Sequence, residues 1–318
     1  MADRGQLSLA EALMSDKLGY NARLEGIASA VAWDRFEALL RPLAPEGPGR
    51  PPYDALLMLK ALLLQQWYGL SDEAAEEALN DRMSFRRFCG LALEEASPDH
   101  TTICRFRERL READLVERLF AEFERQLEAA GLILKRGTMV DATVVEAART
   151  RPARGKEDEA RDKDAAFARR KGRPGSTYGY KAHVAVDQGS LLIRAASLTP
   201  ANVNETSVAD ALIRFDEKAV YADKAYASRA RRALLKRHGI KARILHKTWG
   251  GGPPLTASQK RHNRLIGPVR AAVETVFATL KRRMAYTRVR YVGLVKNEAH
   301  LVLLALAYNI RRAAVLGP

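Results

Sequence analysis

The spacing of apolar residues divides this chain into two parts. Within 1–131, apolar side chains recur at helical spacing, as Trp33 and Phe36 do in AVAWDRFEALLRPL. A Pro- and Gly-rich stretch, RPLAPEGPGRPPY at 41–53, interrupts this pattern and is typical of a linker. The sequence LILKRGTMVDATVV, which opens 132–318, alternates and is rich in β-branched residues, so it predicts a strand. We therefore expect an all-helical N-terminal domain over 1–131, followed by an α/β domain over 132–318.

The α/β part is predicted to contain three strands, a helix, a strand, a helix, a strand and then two long helices. The sequences YGYKAHVAVD and LLIRAASLTP flank Gln188-Gly189-Ser190, which reads as the turn of a hairpin. Helical spacing covers about 205–217, 256–285 and 296–313. This order predicts a mixed sheet with flanking helices.

The charge balance favours a polyanionic partner. The 318-residue chain has a formal net charge of +15 and 47% apolar residues, so it supports a core and a basic surface. The N-terminus shows no secretory signal, and the longest apolar run, at 300–310, is about half the length that spans a bilayer. We expect a cytoplasmic, nucleoid-associated protein that binds DNA and no membrane.

The segment 149–173 differs from its surroundings. It holds 10 Arg and Lys and 5 Asp and Glu and almost no candidate core residues. One interpretation is a solvated surface loop, and the other is a flexible basic insert that becomes ordered on a phosphate backbone.

Three acidic residues are candidates for chemistry on phosphodiesters. Asp141 and Asp223 end short apolar runs, in GTMVDATVV and KAVYADKAY, and Glu274 lies in a helical pattern. Carboxylates that converge from separate elements can hold two Mg²⁺ ions, which activate an attacking hydroxyl and stabilise a leaving oxygen. The alternatives are a turn cap for Asp141, a helix cap for Asp223 and an ordinary exposed carboxylate for Glu274.

The surroundings of Glu274 set it apart from an ordinary surface carboxylate. At 3.6 residues per turn, Arg270, Glu274 and Lys281 fall close to one line along the predicted helix. Apolar neighbours border this line, so Glu274 is predicted beside a buried seam with a cation on either side.

Other residues are candidates for contact with DNA. Lys281, Arg282 and Arg283 continue the same helix, and phosphate contact is preferred there over a solvated face. Lys181 and His183 share one face of a predicted strand and are placed near Asp141, with a satisfied polar face as the alternative. Two further candidates are Trp249, in a glycine-rich loop, and Arg105, in the helix HTTICRFRER.

The motifs around these residues resemble those of the DDE transposases of bacterial insertion sequences, of the insertion-sequence-five type within the insertion-sequence-four-like assembly. The resemblance rests on VDATVVEA at Asp141, YADKAY at Asp223 and RAAVETVFATLKRR at Glu274, and on a helical block at about 50–112. It implies a ribonuclease H-like catalytic core, a metal-dependent triad formed by these three residues, and two Mg²⁺ ions for which Mn²⁺ substitutes. Where many relatives carry Tyr, this chain has Gly267.

The resemblance implies an enzyme that cuts DNA at the ends of an insertion sequence and joins the 3′ hydroxyls to target DNA. Its partners are then the terminal inverted repeats, target DNA and further copies of the chain in a homodimer or larger synaptic complex. The helical N-terminal domain, 1–131, would then bind the DNA ends, form the dimer, or both. Two alternatives stay open at this point. One is a related endonuclease without strand transfer, and the other is a regulator that binds DNA without cutting it.

Overall fold

A computed structural model describes residues 18–43, 53–152, 159–169, 175–248 and 252–317. The helices are α1 (Ala22–Ser29), α2 (Trp33–Leu40), α3 (Ala55–Tyr68), α4 (Asp72–Asp81), α5 (Met83–Cys89), α6 (His100–Glu112), α7 (Leu115–Ala129), α8 (Glu205–Val208), α9 (Arg229–Arg237), α10 (Ala257–Ala271), α11 (Val273–Arg283) and α12 (Leu294–Leu316). The strands are β1 (Thr138–Glu146), β2 (Ala166–Arg169), β3 (Ser176–Asp187), β4 (Ile193–Pro200), β5 (Ala219–Ala222) and β6 (Lys241–Ile244).

Side-chain caps begin several helices of the N-terminal region. The Asp54 carboxylate accepts hydrogen bonds from the first turn of α3, and Ser71 and Asp99 do the same for α4 and α6. Gly69 ends α3 in a left-handed conformation (φ 63°), which glycine adopts without the strain of a Cβ atom. Up to residue 131 the described part of the chain contains helices and no strand, as the sequence predicted.

The six strands form one mixed sheet. On one edge of β3 lie β2 and β4, and on its other edge lies β1, followed by β5 and β6. The β1–β5 and β5–β6 pairs are parallel, and β3 is antiparallel to each of its three neighbours. The order β4-β3-β1-β5-β6 with one reversed strand is that of the ribonuclease H-like fold, so the predicted fold class is confirmed.

The side chains of β1 alternate between two apolar cores, one on each face of the sheet. Met139 and Val145 belong to the larger core, which also contains α12 and the N-terminal helices. Val140 belongs to a smaller core that packs against α9 and the segment after β4. Because side chains alternate along a strand, Asp141 and Thr143 lie on the face of the larger core.

The larger core joins the N-terminal helices to the C-terminal helix. The indole Nε1 of Trp67 donates to the carbonyl of Ala307 at 2.7 Å, and both side chains are buried. Nearby, Gln66 Oε1 lies 2.9 Å from His300 Nε2. The two regions divided at residue 131 therefore share one apolar interior, and the position of a domain boundary there stays a prediction.

Helix α12 is longer than the apolar run at 300–310 suggested. Among the described residues it is the one helix that could cross a membrane by length and composition, with a mean hydropathy of 1.3 over its most apolar window. In the fold, 67% of that window is buried against protein. It packs on α7 and β4, so it serves as a core helix, as the sequence predicted.

The described part of the segment 149–173 is packed more closely than a solvated loop. Residues 166–169 form β2, which pairs with the start of β3. Asp162 is 1% exposed and accepts hydrogen bonds from Tyr180 Oη at 2.6 Å and Gly293 N at 3.3 Å. Both bonds go to Oδ1, whereas Oδ2 is buried with no hydrogen-bond partner among the described residues. A flexible basic arm stays a prediction for the rest of the segment, which lies outside the described residues.

Two predicted helices also differ. The helix expected over 205–217 is reduced to α8 and a 3-10 turn over Ala209–Leu212. The long helix expected over 256–285 is divided into α10 and α11 at Ala272. Pro268 lacks the N–H that a regular helix interior requires, and i to i−3 hydrogen bonds replace the regular pattern around Ala272.

Candidate active site

The end of the parallel pairing between β1 and β5 brings two aspartates side by side. The paired residues run as far as Val140 and Ala222, and Asp141 and Asp223 are the next residues on the two strands. Adjacent strands lie roughly 5 Å apart, so the two backbones hold these carboxylates as neighbours. The apolar run before Asp141 suggested that this residue ends a strand. In the structure Asp141 lies inside β1, because β1 continues beyond it and pairs with β3. Asp223 directly follows β5.

Arg270 joins the first aspartate to the third predicted carboxylate. Its Nη2 lies 2.5 Å from Asp141 Oδ2, and its Nη1 lies 3.2 Å from Glu274 Oε1. The guanidinium is 20% exposed, Asp141 10% and Glu274 66%, so the group extends from the core to solvent. Arg270 is on α10 and Glu274 opens α11, and the division between these helices leaves the spacing of four residues intact.

Burial and charge act in opposite directions on these groups. Burial raises the pKa of Asp141 to about 6, and the neighbouring Arg270 offsets only part of that effect. Burial lowers the pKa of Arg270, but the charges of Asp141, Asp223 and Glu274 outweigh it and raise the pKa overall. The three carboxylates therefore share one electrostatic environment around a guanidinium.

The turn that carries Asp223 is fastened by a buried arginine. Arg231 is 3% exposed, and its Nη1 donates to the carbonyl of Tyr226 at 2.7 Å. Its Nε donates to Asp210 Oδ1 and its Nη2 to the carbonyl of Thr206, both at 2.5 Å. Arg231 was not singled out from the sequence. Its spacing of four residues from the buried Leu235 was the available signal that it faces inward.

A further carboxylate and a buried hydroxyl border the same end of the sheet. Glu205 lies 3.5 Å from Lys181 Nζ and contributes to raising the pKa of Asp141. The Tyr226 side chain is fully buried, and its hydroxyl has no hydrogen-bond partner among the described residues. Burial raises the pKa of Tyr226, and Glu205 and Asp141 raise it further. Neither Glu205 nor Tyr226 stood out in the sequence.

Lys281 lies against β1 on the same face of the sheet as Asp141. Its Nζ donates to Thr143 Oγ1 at 2.7 Å and to the carbonyl of Val144 at 2.9 Å. The predicted line of Arg270, Glu274 and Lys281 thus faces β1, and Lys281 anchors the C-terminal part of α11 to that strand.

Comparison with known families identifies the family of this chain. The family described as "Transposase DDE domain" matches residues 133–310, more than half of the chain, and "Transposase domain (DUF772)" matches residues 13–109. The chain is a member of the DDE transposase family. A solved structure, the crystal structure of the Mos1 strand transfer complex, shares 13% sequence identity over 88% of this chain and 82% of that chain. Its TM-score is 0.25.

As a DDE transposase, the chain acts on DNA and belongs to enzymes that use divalent metal ions. The chemistry of the donor set fits such ions, because Asp141, Asp223 and Glu274 supply hard oxygen ligands. The raised pKa of Asp141 also fits, since a cation beside it would favour the ionised form. In the described residues no three metal-binding side chains converge closely enough to form a complete coordination set, because Arg270 lies between Asp141 and Glu274.

Two of the transposase's predicted DNA contacts lie away from the three carboxylates. In the register of β1 and β3, Asp141 is opposite Val184, whereas His183 is opposite Ala142 and Lys181 opposite Val144. Residues that pair directly share a face, so the expected position beside Asp141 is wrong for both. Lys181 Nζ donates instead to the carbonyl of Val203 at 2.8 Å.

His183 is also buried too deeply to touch DNA in this structure. It is 0% exposed, and its Nε2 lies 2.9 Å from Thr199 Oγ1. Burial lowers the pKa of His183 to about 4, and Lys181 lowers it further, so the ring is neutral in the fold. The alternative, a polar side chain inside the sheet layer, describes it better.

The remaining predicted DNA contacts of the transposase are scattered. Arg282 and Arg283 are exposed at the end of α11. Arg283 borders a cavity of about 340 Å³ with Trp67 of the N-terminal region, and none of the three carboxylates lines it. Arg105 is exposed on α6, and contact of these arginines with DNA stays a prediction. Trp249 lies outside the described residues.

Two further observations bear on the sequence patterns of the transposase. In α6, arginines occur at every second position from Arg105. The second of them, Arg107, is buried and pairs with Asp72, so it cannot contact DNA from that position. At Gly267, where many relatives carry Tyr, an added Cβ atom would meet no described atom within 4 Å. Glycine at this position therefore leaves no gap in a packed contact of the described structure.

Proposed function

We propose that this transposase cleaves DNA at the ends of an insertion sequence and transfers the resulting 3′ hydroxyls to target DNA at the carboxylate site. The observation that carries this proposal is the placement of Asp141 and Asp223 at neighbouring positions beyond the parallel pairing, with Arg270 joining Asp141 to Glu274. The charges of three acidic groups, from β1, from the residue after β5 and from α11, all act on Arg270.

Asp141, Asp223 and Glu274 would hold two divalent ions, Mg²⁺ or Mn²⁺. When bound, such ions activate the attacking oxygen and stabilise the leaving oxygen of a phosphodiester. The buried position of Asp141 fixes one carboxylate in place, and the exposed Glu274 can move with its ligand. Arg270 keeps a positive charge beside the site, where a negatively charged phosphate must approach.

The proposed reaction balances without an external energy source. In the first step a water oxygen attacks phosphorus, the bond to the 3′ oxygen breaks, and the products are a 3′ hydroxyl and a 5′ phosphate. In the second step that 3′ hydroxyl attacks a phosphodiester of target DNA and releases a new 3′ hydroxyl. Each step forms one P–O bond for the one that breaks. Hydrolysis leaves one phosphodiester fewer, whereas strand transfer conserves their number, and both displacements need the same groups around the phosphorus.

We further propose that the enzyme works as a homodimer or a larger synaptic complex on the nucleoid. Two element ends must be cut and joined together, and each chain has one set of these carboxylates. Measuring the mass of the free protein and of its complex with end DNA by light scattering tests this assembly, and a complex with a single chain would contradict it.

Single substitutions of the carboxylates test the chemistry. We expect each of three substitutions to lower cleavage and strand transfer by more than about 100-fold in Mg²⁺: Asp141→Asn, Asp223→Asn and Glu274→Gln. Losing a residue that only supports a metal ligand costs up to about 100-fold, and losing a ligand itself should cost more. Binding of terminal-repeat DNA, measured by fluorescence anisotropy, should persist in all three. Glu146→Gln is the matched control, because Glu146 is an exposed carboxylate on the same strand as Asp141.

The outcomes separate the proposed function from its alternatives. Cleavage like that of the unmodified enzyme in any of the three variants would remove that residue from the site. A protein that cuts but never joins precut ends to target DNA is an endonuclease. A protein that binds the ends and cuts nothing in either Mg²⁺ or Mn²⁺ is a regulator.

A further inference from the structure

A basic groove opens beside the turn that carries Asp223. It has a volume of about 660 Å³ and lies between the start of α9 and the start of α10. Its wall begins at Ala227, four residues after Asp223 (227 − 223), and continues through Ser228 and Arg229. The groove therefore adjoins the carboxylate site along the chain, although none of the three carboxylates lines it.

The charge of the groove has one sign. Arg229, Arg232 and Lys247 line it together with His246, and none of its lining residues that the structure describes is acidic. Arg229 and Arg232 take part in no ion pair among the described residues. By contrast Arg231, between them in sequence, pairs with Asp210. A lining with two arginines outside any ion pair and no acidic residue among those described differs from the usual solvated mixture of charges.

Helix geometry adds to this field. Ser228 caps the start of α9 and Thr256 caps the start of α10, and both residues line the groove. The N-terminal end of a helix carries a partial positive charge, so two such ends reinforce the side-chain cations. The opposite wall, with Pro253, Pro254 and Leu255, is apolar.

We propose that the basic groove binds phosphate groups of the DNA strand that passes through the carboxylate site. The inference rests on the proposed function, because it assumes that DNA is cut at Asp141 and Asp223. A strand carries one phosphate per roughly 3.4 Å of helix axis, so a strand held at the carboxylates brings further phosphates over the adjoining surface. The volume falls in the range of about 300–1,000 Å³ that holds small-molecule ligands, which suits a short single-stranded segment.

Removal of single charges tests the groove. Arg229→Ala and Lys247→Ala are each expected to weaken binding of end DNA with a single-stranded extension by about fivefold at 0.1 M salt, as expected for one charge pair across water. The slope of log K against log salt should fall by about 0.7 for each contact with a single strand. Arg237→Ala is the matched control, because Arg237 is exposed at the other end of α9.

A chemical change in the DNA provides a second, independent measurement. Replacing single phosphates of the extension by neutral methylphosphonates should reproduce the loss at one or two positions. At those positions Arg229→Ala should cause no additional loss. This comparison needs no further protein variant, and circular dichroism checks that the substituted proteins are folded.

Three results would overturn the proposal. They are an unchanged affinity and salt slope in both Arg229→Ala and Lys247→Ala, an equal loss in the Arg237→Ala control, and losses that add at every methylphosphonate position. Failure of the proposed function is recognised separately. Asp223→Asn should lose cleavage but keep the groove's contribution to binding, whereas an unmodified protein that neither binds nor cuts end DNA refutes the proposed function itself.

Discussion

The buried carboxylate of Asp141 should make the metal-free enzyme less stable above pH 6 than an uncharged side chain would. Its pKa is about 6 in the folded protein against an ordinary value of 3.8. The difference, 6 minus 3.8, is 2.2, and at about 1.36 kcal/mol for each pKa unit it corresponds to about 3 kcal/mol. The side chain is only 10% exposed, so screening by solvent reduces this figure little.

The sign follows from which state binds the proton more tightly. A carboxyl whose pKa is higher in the folded state favours folding while it is protonated, below about pH 3.8. That contribution is lost as the pH rises through about 6. The Asn side chain of Asp141→Asn cannot ionise. The free energy of unfolding of this variant should therefore rise relative to that of the unmodified protein, by on the order of 1 kcal/mol between pH 5 and pH 8.

Urea unfolding in the presence of EDTA, at several values between pH 5 and pH 8, measures this difference. Glu146→Gln controls for removing a charge from β1, because Glu146 is exposed on the same strand. A difference between Asp141→Asn and the unmodified protein that stays constant with pH would refute the reasoning, as would a difference of opposite slope. Activity should be lost in the same variant, so that a gain in stability accompanies a loss of function.

Three further substitutions have expected outcomes. His183→Gln should remove part of the acid sensitivity of the fold. The pKa of His183 is lowered to about 4, so the neutral ring stabilises the fold above pH 6.5 and this contribution is lost as the pH falls through 4. Urea unfolding at pH 4.5 and 7.5 measures the difference. Gly179→Ala should destabilise by at least about 2 kcal/mol in urea, since its Cβ would lie 2.1 Å from the carbonyl oxygen of Val145. Lys281→Met should cost about 1–3 kcal/mol in the same measurement, because Thr143 and a backbone carbonyl of β1 lose its hydrogen bonds.

The apolar runs around Asp141 and Asp223 correctly predicted two strands of the sheet, and the catalytic role of the two aspartates stays a prediction. The sequence was not sufficient for their neighbours. Alternation correctly put Lys181 and His183 on one face, but only the register of β3 against β1 decides which residues of β1 share that face. A shift of one residue would have brought both beside Asp141. That register depends on long-range pairing, which local patterns do not encode.

Short or charged elements were the other source of error. β2 has four residues within a highly charged segment, and the buried role of Asp162 depends on the hydroxyl of Tyr180, which lies elsewhere in the chain. Arg231 was overlooked for the same reason, since its partners Asp210 and Thr206 come from the segment after β4. In contrast, the helix caps at Asp54, Ser71 and Asp99 involve only near neighbours and were open to prediction.

The hydrogen bond from Trp67 to Ala307, within the shared apolar interior, limits how this enzyme can change its specificity in evolution. A chain divided after residue 131 would leave the inner face of α12 without the helices that cover it. The N-terminal helices therefore cannot be exchanged between relatives as an independent module. Substitutions in these helices are therefore tolerated on their outer surface, and a replacement of the whole N-terminal region has to bring a matching C-terminal helix with it.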